Sequence, residues 1–286
     1  MQIRTDLALE QKEMLSSLPD GVRSEEEVSQ SIKTTRIFIE SEKGERAIGR
    51  PKGRYITVEL PSFSDNPQSD QEVSAVSKEL QGLIPDNGTV LLVGLGNKSI
   101  TPDALGPDVC SKVLATRHIK QELTRVMGME NPRSVAVVAP GVLGQTGIES
   151  FDIIKGIAQR IKPSVIITVD ALASRRLERL GKTVQMSDAG IEPGAGVGNA
   201  RYEISKKTLG IPVIAIGVPT VVDASTLVYD LTNGECEKPD QSGRDMIVTP
   251  REIDLIIDRA ARFIADVINS SLQKGVPLSL IREIMA

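Results

Sequence analysis

The sequence predicts an α/β protein, with a mostly parallel sheet flanked by helices and a mixed extension at its N-terminal end. Three observations carry that prediction. The 286 residues include three Tyr, four Phe and no Trp, so the core has to come from Ile, Val, Leu and Ala, which suits strands buried on both faces. Four apolar runs, residues 90–93, 135–138, 165–169 and 213–216, are separated by helical patterns or long loops, the alternation that gives βα units and parallel pairing. A long helix over residues 253–272 is announced by Thr249-Pro250-Arg251-Glu252, which reads as a capping-box pair with Pro at the first helical position. Gly275 is expected to stop it.

Taken in order, the chain reads as one domain over residues 1–286, in which residues 1–85 form the N-terminal extension and a β-rich insertion. Residues 24–28 are a charged stretch, 36–40 and 55–60 read as strands, and the Gly/Lys/Arg-rich segment 42–54 lies between them. A hairpin-like addition or a mobile loop is expected there. Val73, Val76, Leu80 and Leu83 share one helical face, which predicts a helix over residues 70–84. The strand at 90–93 leads through a glycine-containing turn into a predicted helix over 104–117, and the strand at 135–138 into a helix over 147–161.

Composition narrows the function. The 34 basic and 38 acidic residues leave a net charge of -4, which provides no footprint for direct nucleic-acid binding or for an anionic membrane. The apolar runs are much too short to span a bilayer, no secretory leader pattern opens the sequence, and two cysteines, Cys110 and Cys236, make neither a disulfide framework nor a zinc cluster. A cytoplasmic location is expected.

The single histidine, His118, is the only candidate for a Ser-His-Asp triad, against a capping role at the end of the helix predicted over 104–117. Cys110 would lie roughly 12 Å from it along that helix, so a Cys-His dyad would have to break the helix. Without His clusters or CxxC pairs no metal is predicted, and no cofactor.

Carboxylates are the stronger signal. Gly94-Leu95-Gly96-Asn97 follows a strand and leads through Thr101-Pro102-Asp103 into a helix, where open α/β sheets place their sites. Gly94 and Gly96 permit a tight turn, Asn97 can bond the loop, and Asp103 is presented at the helix entrance; the bland alternative is a dipole-complementing acid. Asp170 ends the buried run 164–170 on the same sheet edge. Two close carboxylates can divide general base and general acid between them, because their repulsion separates their proton affinities. The glycine-rich segments 140–147 and 188–199 include Gly144, Gly194 and Gly196; they read equally as donors to a peptide or oxyanion and as flexible connectors. A phosphate loop lacks its pattern, since neither GxGxxG nor GxxxxGK[ST] is complete.

Five segments together, Ile3-Arg4-Thr5-Asp6-Leu7-Ala8, the run from Gly94 to Pro107, Thr168-Val169-Asp170-Ala171-Leu172, the run from Ile191 to Asn199, and Met246-Ile247-Val248-Thr249-Pro250, resemble the germination protease, or spore protease, family of endospore-forming bacteria. The resemblance implies an endopeptidase that degrades small acid-soluble spore proteins when germination begins, in the cytoplasm of the spore core and without binding DNA itself. It places the family's two essential aspartates on Asp103 and Asp170 and implies a zymogen and a homotetramer; the substrate-contact candidates Gly96, Asn97, Gly144, Gly194 and Gly196 come from the glycine loops themselves. The chain starts almost at the Arg-Thr-Asp-Leu-Ala segment, as expected of a processed form or of a member with a very short pro-segment. The implied fold is similar to that of hydrogenase-maturation endopeptidases. Two other readings remain: a metal-assisted maturation-type endopeptidase using the same two acids, and a non-catalytic nucleotide-binding α/β protein.

Overall fold

A computed structural model describes residues 4–29, 32–65, 67–120, 129, 131–232 and 246–285. Among these, nine strands join one sheet: β1 (Val22–Ser29), β2 (Ile32–Ile39), β3 (Gly53–Glu59), β4 (Val90–Gly94), β5 (Val135–Val138), β6 (Val165–Ser174), β7 (Thr183–Ser187), β8 (Val213–Asp223) and β9 (Ile247–Val248). Their order is β1-β2-β3-β7-β8-β6-β4-β5, with β9 on β8. The α/β class holds, and the four apolar runs form its parallel centre, β5-β4-β6-β8. Parallel pairing stops there. From β8 outward through β7, β3, β2 and β1 every pair is antiparallel, so the N-terminal strands continue the same sheet.

The helices are α1 (Ala8–Glu13), α2 (Glu42–Ile48), α3 (Asp70–Gln81), α4 (Leu105–Cys110), α5 (Leu143–Thr146), α6 (Ser150–Ile161), α7 (Lys206–Leu209), α8 (Ala224–Leu231), α9 (Ile253–Leu272) and α10 (Leu278–Met285). Successive strand residues point to opposite faces, and each face carries its own helical layer. Leu92, Ile167 and Ile214 pack with Val76 and Leu80 of α3 and with Ile257, Ile264 and Ile268 of α9. Leu91, Val93 and Ile166 pack with Ile154 and Ala158 of α6. Both layers rest on aliphatic side chains, in keeping with a chain so poor in aromatics.

Several local expectations change for identifiable reasons. The helix predicted over 104–117 ends at Cys110, because the backbone N–H groups of Thr116 and Arg117 both donate to Val135 O, at 3.0 and 2.9 Å, and the Thr116 hydroxyl accepts from Val135 N at 2.9 Å. Strand β5 thereby pulls the chain out of the helix and leaves His118 exposed in a turn. Helix α9 has the expected bounds without the expected cap: the Thr249 hydroxyl donates to Thr220 O at 2.8 Å instead, Glu252 is the N-cap, and the helix stops before Gly275. Segment 42–54 holds α2, capped by Ser41, whose side chain accepts from Gly44 N at 3.1 Å. Strand β1 is the charged stretch around residues 24–28; Glu25, Glu26 and Glu27 are exposed on it, a composition that keeps a sheet edge from pairing with other chains. Among the described residues no helix is long and apolar enough to cross a membrane.

Helix α9 also secures the segment leading to β5. Buried Asn269 accepts from Leu114 N at 3.0 Å and donates to Lys112 O at 3.2 Å. Asn269→Ala strands both backbone groups and is expected to lower stability by about 2 kcal/mol, read as a lower urea midpoint with an unchanged slope.

Candidate active site

The parallel centre sets the site at its carboxyl edge. Strand β4 ends at Gly94, opposite Val169, and Leu95 N continues the ladder to Val169 O at 2.8 Å. The chain then doubles back at Gly96, whose φ of 108° lies in the left-handed region and whose added Cβ would fall 2.1 Å from Asp103 O; only glycine permits that approach. The loop closes on itself through Asn97 N, which donates to Asp103 Oδ2 at 2.7 Å. The Asn97 side-chain oxygen accepts from Ser99 N at 2.9 Å and from Gln145 Nε2 at 2.6 Å, which ties this loop to α5. Thr220 of β8 donates its hydroxyl to Pro102 O at 2.8 Å. Asp103 is half-buried; burial raises its carboxyl above the ordinary range and the Asn97 N–H opposes that rise.

Asp170 lies within β6, opposite Gly217 of β8, and is 7% exposed. Its Oδ1 accepts from Ala171 N at 2.9 Å. Burial pushes this carboxyl well above the usual range, and the charges of Asp103 and Asp6 push it the same way. Gly106 makes the convergence possible: a Cβ there would meet Leu95 O at 2.2 Å and Val169 O at 2.5 Å, so α4 packs directly on the backbone of both strand ends.

The third acid, Asp6, lies in the Arg4–Ala8 segment, where sequence reasoning assigned it no role. Its N–H donates to Ala173 O and its Oδ2 accepts from Ala173 N, both at 2.8 Å. Gly196 N also donates to its carboxylate, and Arg50 stands 3.7 Å from Oδ1. Burial raises the Asp6 carboxyl, with Arg50 and the two backbone donors opposing.

A cleft of about 270 Å³ opens over these residues, lined among others by Asp6, Arg50, Tyr55, Asp170, Gln185 and Gly194. Of the sequence-predicted residues, Asp170 and Gly194 line it. Asp103, Gly96 and Asn97 form the adjoining loop, Gly196 reaches the cleft only through Asp6, and Gly144 is exposed on α5, with open space where a Cβ would go. The donors that a phosphate would need at Asn97 and Ser99 are engaged by the loop's own acceptors. Among the described residues no group of three or more His, Cys, Asp or Glu is arranged to hold a metal ion. Burial pushes the Cys110 thiol up to about 12, which suits a packed side chain and not a nucleophile; Cys236 lies outside the described residues.

Residues 2–233 match the peptidase family described as germination protease. The chain is 44% identical over 312 residues to a germination protease of Caldanaerobacter subterraneus subsp. tengcongensis, covering 96% of this chain and 95% of that protein. It is 40% identical to one from Clostridium perfringens, with 99% of each covered, and 37% identical to one from Priestia megaterium, with 96% and 94% covered. Among solved structures, the NiFe hydrogenase maturation protease HycI from Thermococcus kodakarensis KOD1 aligns with 68% of this chain and 99% of its own, at 18% identity and a TM-score of 0.40, too loose a likeness to locate side chains.

Proposed function

Since the chain belongs to the germination protease family, and is thus a peptide hydrolase of spore germination, we propose that it begins the breakdown of small acid-soluble spore proteins, with Asp103 and Asp170 activating water. The observation that carries this reading is the pairing of two carboxyls in unlike surroundings at one sheet edge. Asp103 is partly exposed and receives the Asn97 N–H, a donor that favours its charged form, which suits a general base taking the proton from water. Asp170 is buried beside other negative charge, which favours its protonated form, and that suits a general acid protonating the departing amine. A peptide laid in the cleft would pass over Asp170 and Gly194. The net charge of -4 is in keeping with an enzyme of the spore core that meets its substrates as free proteins.

The sign of the pH dependence follows from these roles. Activity falls on the acid side as Asp103 takes up its proton and on the alkaline side as Asp170 loses its own. Both carboxyls are raised, so the bell sits above the range of ordinary carboxylates. The test is cleavage of a purified small acid-soluble spore protein by the wild type, with and without chelator, and by Asp103→Asn checked for folding by circular dichroism. The expected loss in Asp103→Asn is about 10²- to 10⁴-fold in kcat, with no effect of chelator on the wild type. Activity retained in the folded variant removes Asp103 from the chemistry, and chelator sensitivity favours a metal-assisted reaction.

A further inference from the structure

We infer that Asp6 is a positioning residue of this site, its carboxylate fastening the glycine loop 190–199 to β6 and setting a negative charge on the Asp170 side of the cleft. The inference rests on the two-carboxylate reading above and adds a third acid to it. Asp6 is held on β6 three residues beyond Asp170, its N–H donating to Ala173 O and its Oδ2 accepting from Ala173 N, both at 2.8 Å. Gly196 closes on the same carboxylate so tightly that a Cβ there would lie 2.1 Å from Asp6 Oδ2. All the donors on Asp6, Ala173 N, Gly196 N and Arg50, call for an acceptor, as an ionised carboxylate is. Fastening alone does not explain a charge: a neutral acceptor would pin the loop without placing like charge beside buried Asp170, an arrangement that costs stability.

The surrounding charges leave this role to Asp6. Asp170 feels Asp103 from the loop after β4 and Asp6 from the N-terminal segment. Arg50, after α2, is taken up by Asp6 and by Thr5 O. Tyr55 of β3 donates to Pro51 O at 2.8 Å and stays protonated, since burial raises it. The remaining ionisable groups of the cleft, Glu45 of α2, Glu192 and Glu203 of the loop and Lys207 of α7, are not among the charges that displace Asp170.

Two measurements on the full chain decide it. The first is a melting cycle of wild type, Asp6→Asn, Asp170→Asn and the double variant at pH 8 and pH 4, which needs no substrate. Asp170→Asn is expected to raise Tm more in the wild-type background than in Asp6→Asn at pH 8, with the difference shrinking toward pH 4 as the carboxyls take up protons. The second is the pH profile of kcat/KM on a small acid-soluble spore protein. Asp6→Asn should move the alkaline limb toward acid by about 1 pH unit, while Asp6→Glu, which keeps the charge, restores the wild-type limb. If Asp6→Asn fails to fold, Asp6→Ser offers Ala173 N a neutral acceptor and gives the same readout. A limb that stays in place, or a cycle that stays additive even at a pH alkaline enough to ionise Asp170, overturns the inference. A wild type that leaves the spore protein intact overturns the substrate reading instead, and the cycle then decides the role of Asp6 alone.

Discussion

Asp170→Asn is expected to abolish peptide cleavage and, at neutral to alkaline pH, to make the protein more stable than the wild type. Asparagine is nearly the same shape and its oxygen can still accept from Ala171 N, so the packing of β6 should survive. The proton is what disappears. With no carboxyl to protonate the departing amine, kcat should fall about 10²- to 10⁴-fold. The stability change has a definite sign. Because the folded-state carboxyl is raised, the native protein holds a proton that the unfolded chain has released, so wild-type stability is full below the unfolded carboxylate value of about 3.9 and is lost as pH rises through the folded value. The variant carries no such loss. Its advantage in Tm should be absent near pH 4 and grow toward pH 8, each tenfold change in proton affinity being worth about 1.4 kcal/mol. Calorimetry at the two pH values checks this; equal melting at pH 8 would mean that the fold stabilises the charged form of Asp170, so that its carboxyl is not raised.

Gly106→Ala should damage both stability and activity. The added methyl would meet Leu95 O at 2.2 Å, Leu95 N at 2.5 Å and Val169 O at 2.5 Å, and these are backbone atoms of two central strand ends, which no rotamer can move aside. Helix α4 must lift, at a cost of about 3 kcal/mol, and Asp103, carried in the turn just before that helix, moves relative to Asp170. A displacement near 1 Å would cost about 100-fold in rate. Urea unfolding and kcat/KM give the two readouts. Gly144→Ala is the matching control: its Cβ would enter open space within a helical turn, so its stability should stay within about 0.5 kcal/mol of the wild type. A Gly106→Ala protein as stable as that control would refute the close packing of α4.

These positions also mark the limits of what the sequence makes legible. Strands β4, β5, β6 and β8 stand out because strands buried on both faces need uninterrupted aliphatic runs, and α3 and α9 because their apolar residues recur at helical spacing. Strand β7 does not: Thr183-Val184-Gln185-Met186-Ser187 is buried throughout, yet three of its five residues are polar, and the Gln185 side chain is satisfied by Ala8 N and Asp6 O from the far end of the chain. The early end of α4 is hidden for a similar reason, being imposed by β5 from across the fold. Asp103 and Asp170 are legible as candidates because each follows a strand at the edge where α/β sites form, but their approach depends on Gly106 meeting two backbones. Asp6 could be found only through its partner Ala173, 167 positions later in the chain.

That last separation bears on how the protein is made. The cleft is completed by residues near the start of the chain gripping residues far along it: Asp6 on Ala173, Ala8 on Gln185, and Arg4 on Asp223, whose carboxylate lies 3.5 Å from the Arg4 guanidinium and 219 positions away. During synthesis the first segment leaves the ribosome long before its partners do, and loops of that length close late. A nascent chain short of β8 therefore lacks both the cleft wall formed by Ala215, Ile216 and Gly217 and the partner of Arg4, and a growing polypeptide with a peptidase's sequence has no complete cleft until nearly four-fifths of it has been translated.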